Sequence, residues 1–312
     1  MNTTKPTVGW IGAGRMGTQL ATRLLDAGYD VAVYNRTKAK AEPLAQLGAT
    51  IVDRPIDLAG RDIVCSMVSA SKDLEQVMLG DGGLLTDPDR APKAIGDSST
   101  VSMEMSATIR AAAEARGVGF LATPVSGNPK VIEAGKLTVA ASGPRAVFDE
   151  VEPLLQTWGR GVTYVGEGEL ARIVKIAHNV FLGVVIQNMI EITLLAEKAG
   201  VTRADFLAFL NDSVMGSPYS RYKSPALINL DFAPTFTPVL LLKDMDLGLA
   251  AAHRLGVTMP VTAITREIIA TEVGAGNVDQ DFASMIIRAA IGSGIDLQPE
   301  GVDYNDGLDP EA

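Results

Sequence analysis

The 312-residue sequence predicts an α/β domain built on a mostly parallel, doubly wound sheet, followed by an all-α domain. Three observations carry that prediction. Short β-branched runs alternate with helical segments from residue 7 to about 165, a glycine-rich turn joins the first run to the first helix, and strand signals fade after residue 168. The expected boundaries are 1–168 for the first domain, 169–294 for the second and 295–312 for an acidic end.

The expected strands, in order, are "TVGWIG", "DVAVYN", "ATIV", "DIVCSMV", "KAIGD" and "GFLATPVS". The first helix places Met16, Leu20 and Leu24 on one face and closes at Gly28, the pattern of a helix packed on a sheet. Beyond residue 168, "KAGVTRAD", "NDSVMGSPYS", "RLGVTMP" and "GAGNVDQD" break a helical periodicity. A long helix starting near Glu169 is expected to join the domains. Its apolar stretch, residues 179–200, is interrupted by Gln187, Asn188 and Glu191, so it reads as a buried helix and not as a bilayer span. The end "IDLQPEGVDYNDGLDPEA" is acidic and rich in turn formers, which points to an irregular or disordered segment.

Apolar residues make up 47% of the chain and charged residues 21%, a globular composition. The formal net charge of -10 argues against nucleic-acid binding, which needs a cationic surface to displace counterions. The single cysteine, Cys65, lies in an apolar run and suits a reducing compartment. The first strand begins within a few residues of Met1, leaving no room for a cleavable signal, so a soluble cytoplasmic protein without a membrane partner is expected. The two histidines, His178 and His253, show no metal-ligand spacing, and no metal is expected.

"VGWIGAGRMG" sets Gly12, Gly14 and Gly17 in G-x-G-x-x-G spacing between a strand and a helix, the Rossmann dinucleotide-binding arrangement. The first glycine permits the tight turn, the second lets a pyrophosphate approach the backbone, and the third lets helix and strand pack closely. Ala13, Arg15 and Met16 complete the loop. Where an NAD enzyme offers an acid to the ribose, the second strand ends in Asn35, followed by Arg36, Thr37 and Lys38. A neutral residue and two cations favour a 2′-phosphate, so NADP (NADPH) is expected in preference to NAD.

Three further segments fall at the carboxyl edge of the predicted sheet: "MVSAS" with Met67, Val68 and Ser69, "GDSSTVS" with Thr100, and "ATPVSGN" with Ser126, Gly127 and Asn128. Small hydroxylated residues and glycine suit a place where a ligand approaches backbone. In "LARIVKIAHNVFLGVV", Lys175 sits among apolar residues on a helix, and local pattern allows either a snorkelling cation or one held for chemistry. Asn179 lies four residues on, along the same face.

With these motifs in order, "GAGRMG", "DSST", "PVSG", "GEGELARIVKIAHN" and "LLKDMDL", the chain resembles the β-hydroxyacid dehydrogenase family of 3-hydroxyisobutyrate dehydrogenases and tartronate semialdehyde or glyoxylate reductases, over about residues 7 to 290. The resemblance implies a hydride exchanged between a nicotinamide and a small 3-hydroxyacid or semialdehyde. It implies that Lys175 is the general acid/base, that Asn179 orients it, and that Ser126, Gly127 and Asn128 hold the substrate carboxylate. Thr100 would lie beside nicotinamide and substrate, Met67, Val68 and Ser69 would line the cofactor, and Lys243 would reach toward it, positioned by Asp244 or Asp246. An ammonium beside the carbonyl oxygen stabilises developing negative charge and delivers a proton, and apolar neighbours of Lys175 would supply desolvation.

Departures from the family pattern fall on the substrate side: Met103 replaces a proline, "ATPVSGN" brings Ala122, Thr123 and Asn128, and Val131 and Ile132 replace a Gly-Ala pair after Pro129. These changes stiffen and fill that loop. Ser217, Tyr219 and Arg221, in residues 211–223, are either ligand contacts or surface turn residues, and His178 is expected to support packing or Asn179. Alternative functions are reduction of imines, against which Lys175 counts, reduction of a carbonyl lacking a carboxylate, which the altered loops allow, and a non-catalytic NADP-binding scaffold. A homodimer or homotetramer is expected, because apolar helices in a domain this small need a partner surface.

Overall fold

The structure, a computed structural model, describes residues 5–308. The chain divides into two compact units between Lys175 and Ile176.

The first unit contains, in chain order, β1 (Val8–Ile11), α1 (Arg15–Asp26), β2 (Val31–Tyr34), α2 (Glu42–Gln46), β3 (Thr50–Ile51), β4 (Ile63–Ser66), α3 (Ser71–Leu79), β5 (Ala94–Asp97), α4 (Met103–Glu114) and β6 (Gly119–Ala122). These six strands form one parallel sheet in the order β3-β2-β1-β4-β5-β6. Strand order reverses between β1 and β4, and in such sheets ligands bind beyond the carboxyl ends at that switch point. Side chains alternate between two hydrophobic clusters: Trp10, Ile63, Cys65 and Leu121 enter one, while Ile11, Val64, Ile95 and Phe120 enter the other. Burial on both faces is why these strands read as continuous apolar runs.

The region after β6 adds to the expected strands. A separate three-stranded sheet contains β7 (Val125–Ser126), β8 (Leu137–Ala141) and β9 (Gly159–Tyr164), with α5 (Pro129–Glu133) and α6 (Arg145–Leu155) between them. β7 pairs antiparallel with β8, and β8 pairs parallel with β9. With only two residues, β7 is too short for an alternation to register in the sequence.

The second unit is helical, with no strand among its described residues. α7 (Leu170–Lys198) crosses the boundary and is followed by α8 (Arg203–Asp212), α9 (Pro218–Asn229), α10 (Pro238–Leu255), α11 (Pro260–Gly274) and α12 (Met285–Gly292). By length and composition alone α7 could cross a membrane, yet Val180, Ile186, Met189, Ile190 and Leu194 are buried in the core of this unit. That core also holds an ion pair in which Lys223 Nζ donates to Asp281 Oδ1 at 2.6 Å. Burial pushes the Asp281 carboxyl up, but Lys223, the Thr235 hydroxyl and the Ala283 amide outweigh it and hold it below the ordinary range.

The acidic end is irregular, without helix or strand from 295 to 308, but it is fastened to the helices. Arg203, 1% exposed, donates through Nη2 to the carbonyls of Ile228 and Gln298 at 2.8 and 2.5 Å. Glu300 accepts from the backbone N–H groups of Arg203 and Ala204, Asn229 exchanges two hydrogen bonds with the Val302 backbone, and the Asn211 amide donates to the Tyr304 hydroxyl. Turn-rich composition therefore gives irregular backbone here, and the buried arginine gives it a fixed path.

Candidate active site

The glycine loop explains its own residue types. Gly12 has φ +105, and a Cβ there would lie 2.2 Å from the Met67 carbonyl oxygen, so the turn can pass β4 only as glycine. A Cβ at Gly17 would meet the Gly12 carbonyl oxygen at 2.0 Å, which fixes the close approach of α1 to β1. Gly14 is different: it is the N-cap of α1, no side chain caps the helix, and nothing lies within 4 Å of its would-be Cβ. Open space before uncapped N–H groups at a helix N-terminus fits a pyrophosphate. Ala13 N–H donates to Asn35 Oδ1 at 2.8 Å and Trp10 Nε1 donates to the Gly12 carbonyl at 2.8 Å, so Asn35 and Trp10 brace the loop.

Asn35 also donates through Nδ2 to the Thr37 carbonyl at 2.7 Å, which shapes the turn after β2. Arg36 and Thr37 are exposed at that turn. Arg36 meets Asp73 at 3.2 Å and Lys38 meets Asp53 at 2.7 Å, both as surface pairs that salt and solvent weaken. The two cations are thus presented at the surface beside the site where a ribose would lie.

The loops after β4 and β5 are joined at the carboxyl edge of the sheet. Asp97, at the end of β5, is fully buried and accepts from Ser66 Oγ at 2.6 Å and Ser99 Oγ at 2.7 Å. Ser99 Oγ in turn accepts from Val68 N–H at 2.9 Å. Met67, Val68 and Thr100 are half-buried and Ser69 is exposed, so the predicted cofactor residues line this edge.

Ser126 ends β7 and is half-buried, and Gly127 follows it, exposed at φ +143. A Cβ on Gly127 would press on Val131 and Leu137 at 2.7 and 2.8 Å. Asn128 is the N-cap of α5, accepting from Val131 N–H at 3.0 Å, and Pro129 occupies the first helical turn. The departures from the family pattern thus build a short capped helix whose Val131 and Ile132 are buried. Met103 likewise opens α4, capped by the Ser102 side chain.

Lys175 lies on α7, half-buried, one turn before Asn179. Of the apolar neighbours expected to desolvate it, Ile176 is buried and Ile173 half-buried, whereas Val174 and Ala177 are exposed, as is Phe181 further along at 69%. Periodicity reveals an apolar face, but not whether the same chain covers it. In the second unit, buried Asn179 donates through Nδ2 to Asp244 Oδ2 at 2.5 Å. Its Oδ1 lies 3.0 Å from His178 Nδ1, which makes His178 a support for Asn179. Lys243 Nζ lies 3.3 Å from Asp244, whereas Asp246 is engaged by Arg266 at 2.8 Å, so Asp244 is its neighbouring carboxylate. Lys243 faces an open hollow of about 490 Å³ on α10, lined also by Val239, Leu242, Asp246, Leu247 and Ala250.

The residues 211–223 are mostly helix ends. Ser217 caps α9, Arg221 donates to the Asn211 carbonyl at 2.5 Å, and the Tyr219 ring packs edge-on to Tyr222. Sequence reasoning missed Arg172 and Arg110, which anchor the start of α7. Two cations three apart in "LARIVK" were the available signal, because an arginine on an apolar face needs a buried acceptor.

Comparison with known proteins agrees with this architecture. Residues 7–166 match the family model described as the NAD binding domain of 6-phosphogluconate dehydrogenase, and residues 169–289 match that described as NAD-binding of NADP-dependent 3-hydroxyisobutyrate dehydrogenase. The chain is 31% identical over 280 residues to glyoxylate/succinic semialdehyde reductase 1 of Arabidopsis thaliana, covering 89% of this chain and 96% of that one. It is 29% identical over 288 residues to 3-hydroxyisobutyrate dehydrogenase of Pseudomonas aeruginosa, covering 89% and 96%. Its fold is similar to the crystal structure of 3-hydroxyisobutyrate dehydrogenase from Salmonella typhimurium, with a TM-score of 0.81 at 24% identity over 91% of this chain and 100% of that one. The chain belongs to the β-hydroxyacid dehydrogenase family and is an NAD(P)-dependent oxidoreductase of the hydroxyacid dehydrogenase type.

Proposed function

We propose that this protein is an NADP-preferring enzyme that interconverts a small 3-hydroxyacid and its semialdehyde, with Lys175 as general acid/base. The observation that carries the reading is half-buried Lys175 one turn before Asn179, whose amide is pinned by buried Asp244. When bound, the nicotinamide supplies or accepts the hydride. In reduction the Lys175 ammonium donates a proton to the substrate oxygen, and in oxidation the free amine removes it. Asn179 has one amide hydrogen committed to Asp244 and a second to offer to that oxygen. Ser126 and the backbone around Gly127 are the groups proposed to hold a carboxylate.

Neutral Asn35 and exposed Arg36 support the choice of NADP, and a buried free Cys65 agrees with a reducing, cytoplasmic setting. The exposed apolar residues of α7 support a homodimer or homotetramer.

The deciding experiment follows NADPH absorbance with glyoxylate, succinic semialdehyde and methylmalonate semialdehyde, and the reverse reaction with 3-hydroxyacids. At least one semialdehyde is expected to turn over, with the reductive rate falling and the oxidative rate rising as pH increases. Lys175→Ala is expected to lower kcat by about 100-fold to 10,000-fold with NADPH binding retained. Turnover at the parent rate in that variant removes Lys175 from the chemistry, and silence across the panel removes the substrate class.

A further inference from the structure

Arg172 lies one turn before Lys175 and is 1% exposed. Its guanidinium donates in three directions: Nε to Ser106 Oγ at 3.0 Å, Nη1 to the Ser99 carbonyl at 2.6 Å, and Nη2 to Asp97 Oδ2 at 2.5 Å. These acceptors lie on α4, on the loop leading to Thr100 and at the end of β5. Because Asp97 and Ser99 also bind Ser66 and Val68, one side chain links the start of α7 to the loops after both β4 and β5.

Further hydrogen bonds at the start of α7 act elsewhere. Arg110 donates to the Gly168 carbonyl and to Glu169 Oε1, each at 2.7 Å, and Ala171 N–H donates to Ser142 Oγ at 3.0 Å. They hold the entry of the helix. Arg172 alone among these groups binds the segment that carries Thr100.

We infer that Arg172, through its pair with Asp97, is a positioning residue that sets Lys175 against the Thr100 loop for hydride transfer. The inference rests on the reading of Lys175 as acid/base. Three residues of helix rise about 4.5 Å, so a slide or tilt of the Arg172 turn passes to Lys175 almost undiminished. Displacing a reacting group by about 1 Å can cost on the order of 100-fold in rate. Only the planar fork of arginine reaches three acceptors at once, and a lysine in its place keeps the charge but loses the geometry.

The test is a double-mutant cycle on the full chain with NADPH and the best semialdehyde. Arg172→Lys is expected to lower kcat about 10-fold to 100-fold while NADPH Kd, read by fluorescence, stays within about two-fold. In the Lys175→Ala background the same substitution is expected to change nothing further, because there is no ammonium left to position. Parent-level kcat in R172K, or losses that multiply in the double variant, overturns the inference. The reading of Lys175 itself is judged separately, by K175A alone. If R172K gives no cooperative melting transition, Ser106→Ala removes a single acceptor: a kcat loss of about three-fold or more at unchanged Tm, absent in the K175A background, supports the inference, and parent-level kcat overturns it.

Discussion

A single residue, Asn35, performs two tasks: it accepts from the Ala13 N–H of the glycine loop and it leaves the end of β2 without a negative charge. Arg36 beside it is 84% exposed on its side chain and shares a surface pair with Asp73 that contributes little by itself. A 2′-phosphate would be the stronger partner for that guanidinium. Arg36→Ala is therefore expected to lower kcat/KM for NADPH by about 10-fold or more while leaving that for NADH within about two-fold; equal losses with both cofactors in steady-state assays would count against NADP preference. At Cys65, burial pushes the thiol up to about 12, which makes it an inert core residue. Glycine positions and the Asn35 turn were legible in the sequence because their constraints are local. Arg172 and Asp97 were not read as a pair, since 75 residues separate them and only the sheet brings them together.

At the scale of elements, the main sheet was legible because β1, β2, β4 and β5 are short apolar runs, each leading into a helix. The small second sheet was not read: β7 has only two residues and pairs with a partner beyond α5, while the alternation of buried Leu137, Val139 and Ala141 in β8 was a signal that went unused. Asn128, read in the sequence as a ligand contact, also caps α5 through its side-chain oxygen. One fastening between elements makes a pH-dependent prediction. Asp62 ties the residue before β1 to the start of β4, and the Thr7 backbone N–H, with help from Lys93 and the Thr7 hydroxyl, lowers its carboxyl from 3.8 to about 2. A carboxyl whose folded value is depressed stabilises the fold above its unfolded value and loses that contribution as pH falls through the folded one. Thermal melts are expected to show parent Tm falling between about pH 4 and pH 2, with Asp62→Asn lower at pH 6 and less steep across that window. Identical slopes would show that the tie contributes nothing.

For the whole molecule, the exposed side of α7 matters most. Leu170, Val174, Ala177, Phe181, Asn188 and Leu195 are exposed at steps of four, three, four, seven and seven, the spacing of a coiled-coil seam. The same periodicity that made this helix look buried also left one stripe uncovered, and a second copy of the chain is the proposed cover. Light scattering after size exclusion is expected to give a dimer or tetramer at micromolar concentration, and Phe181→Glu to shift it toward monomer. A parent chain that is monomeric at that concentration would end the proposal.

The fastened acidic end bears on the order of events during synthesis. Arg203 must wait for an acceptor 95 residues further along, at Gln298. Every hydrogen bond described around Asp97, Arg110 and Arg172 closes within the first 175 residues, so the nucleotide-binding half can finish folding while the helical half is still emerging from the ribosome. The helical half completes its polar interior only after translation has passed residue 300, which makes it the last part of the molecule to become protected from proteases and from premature association.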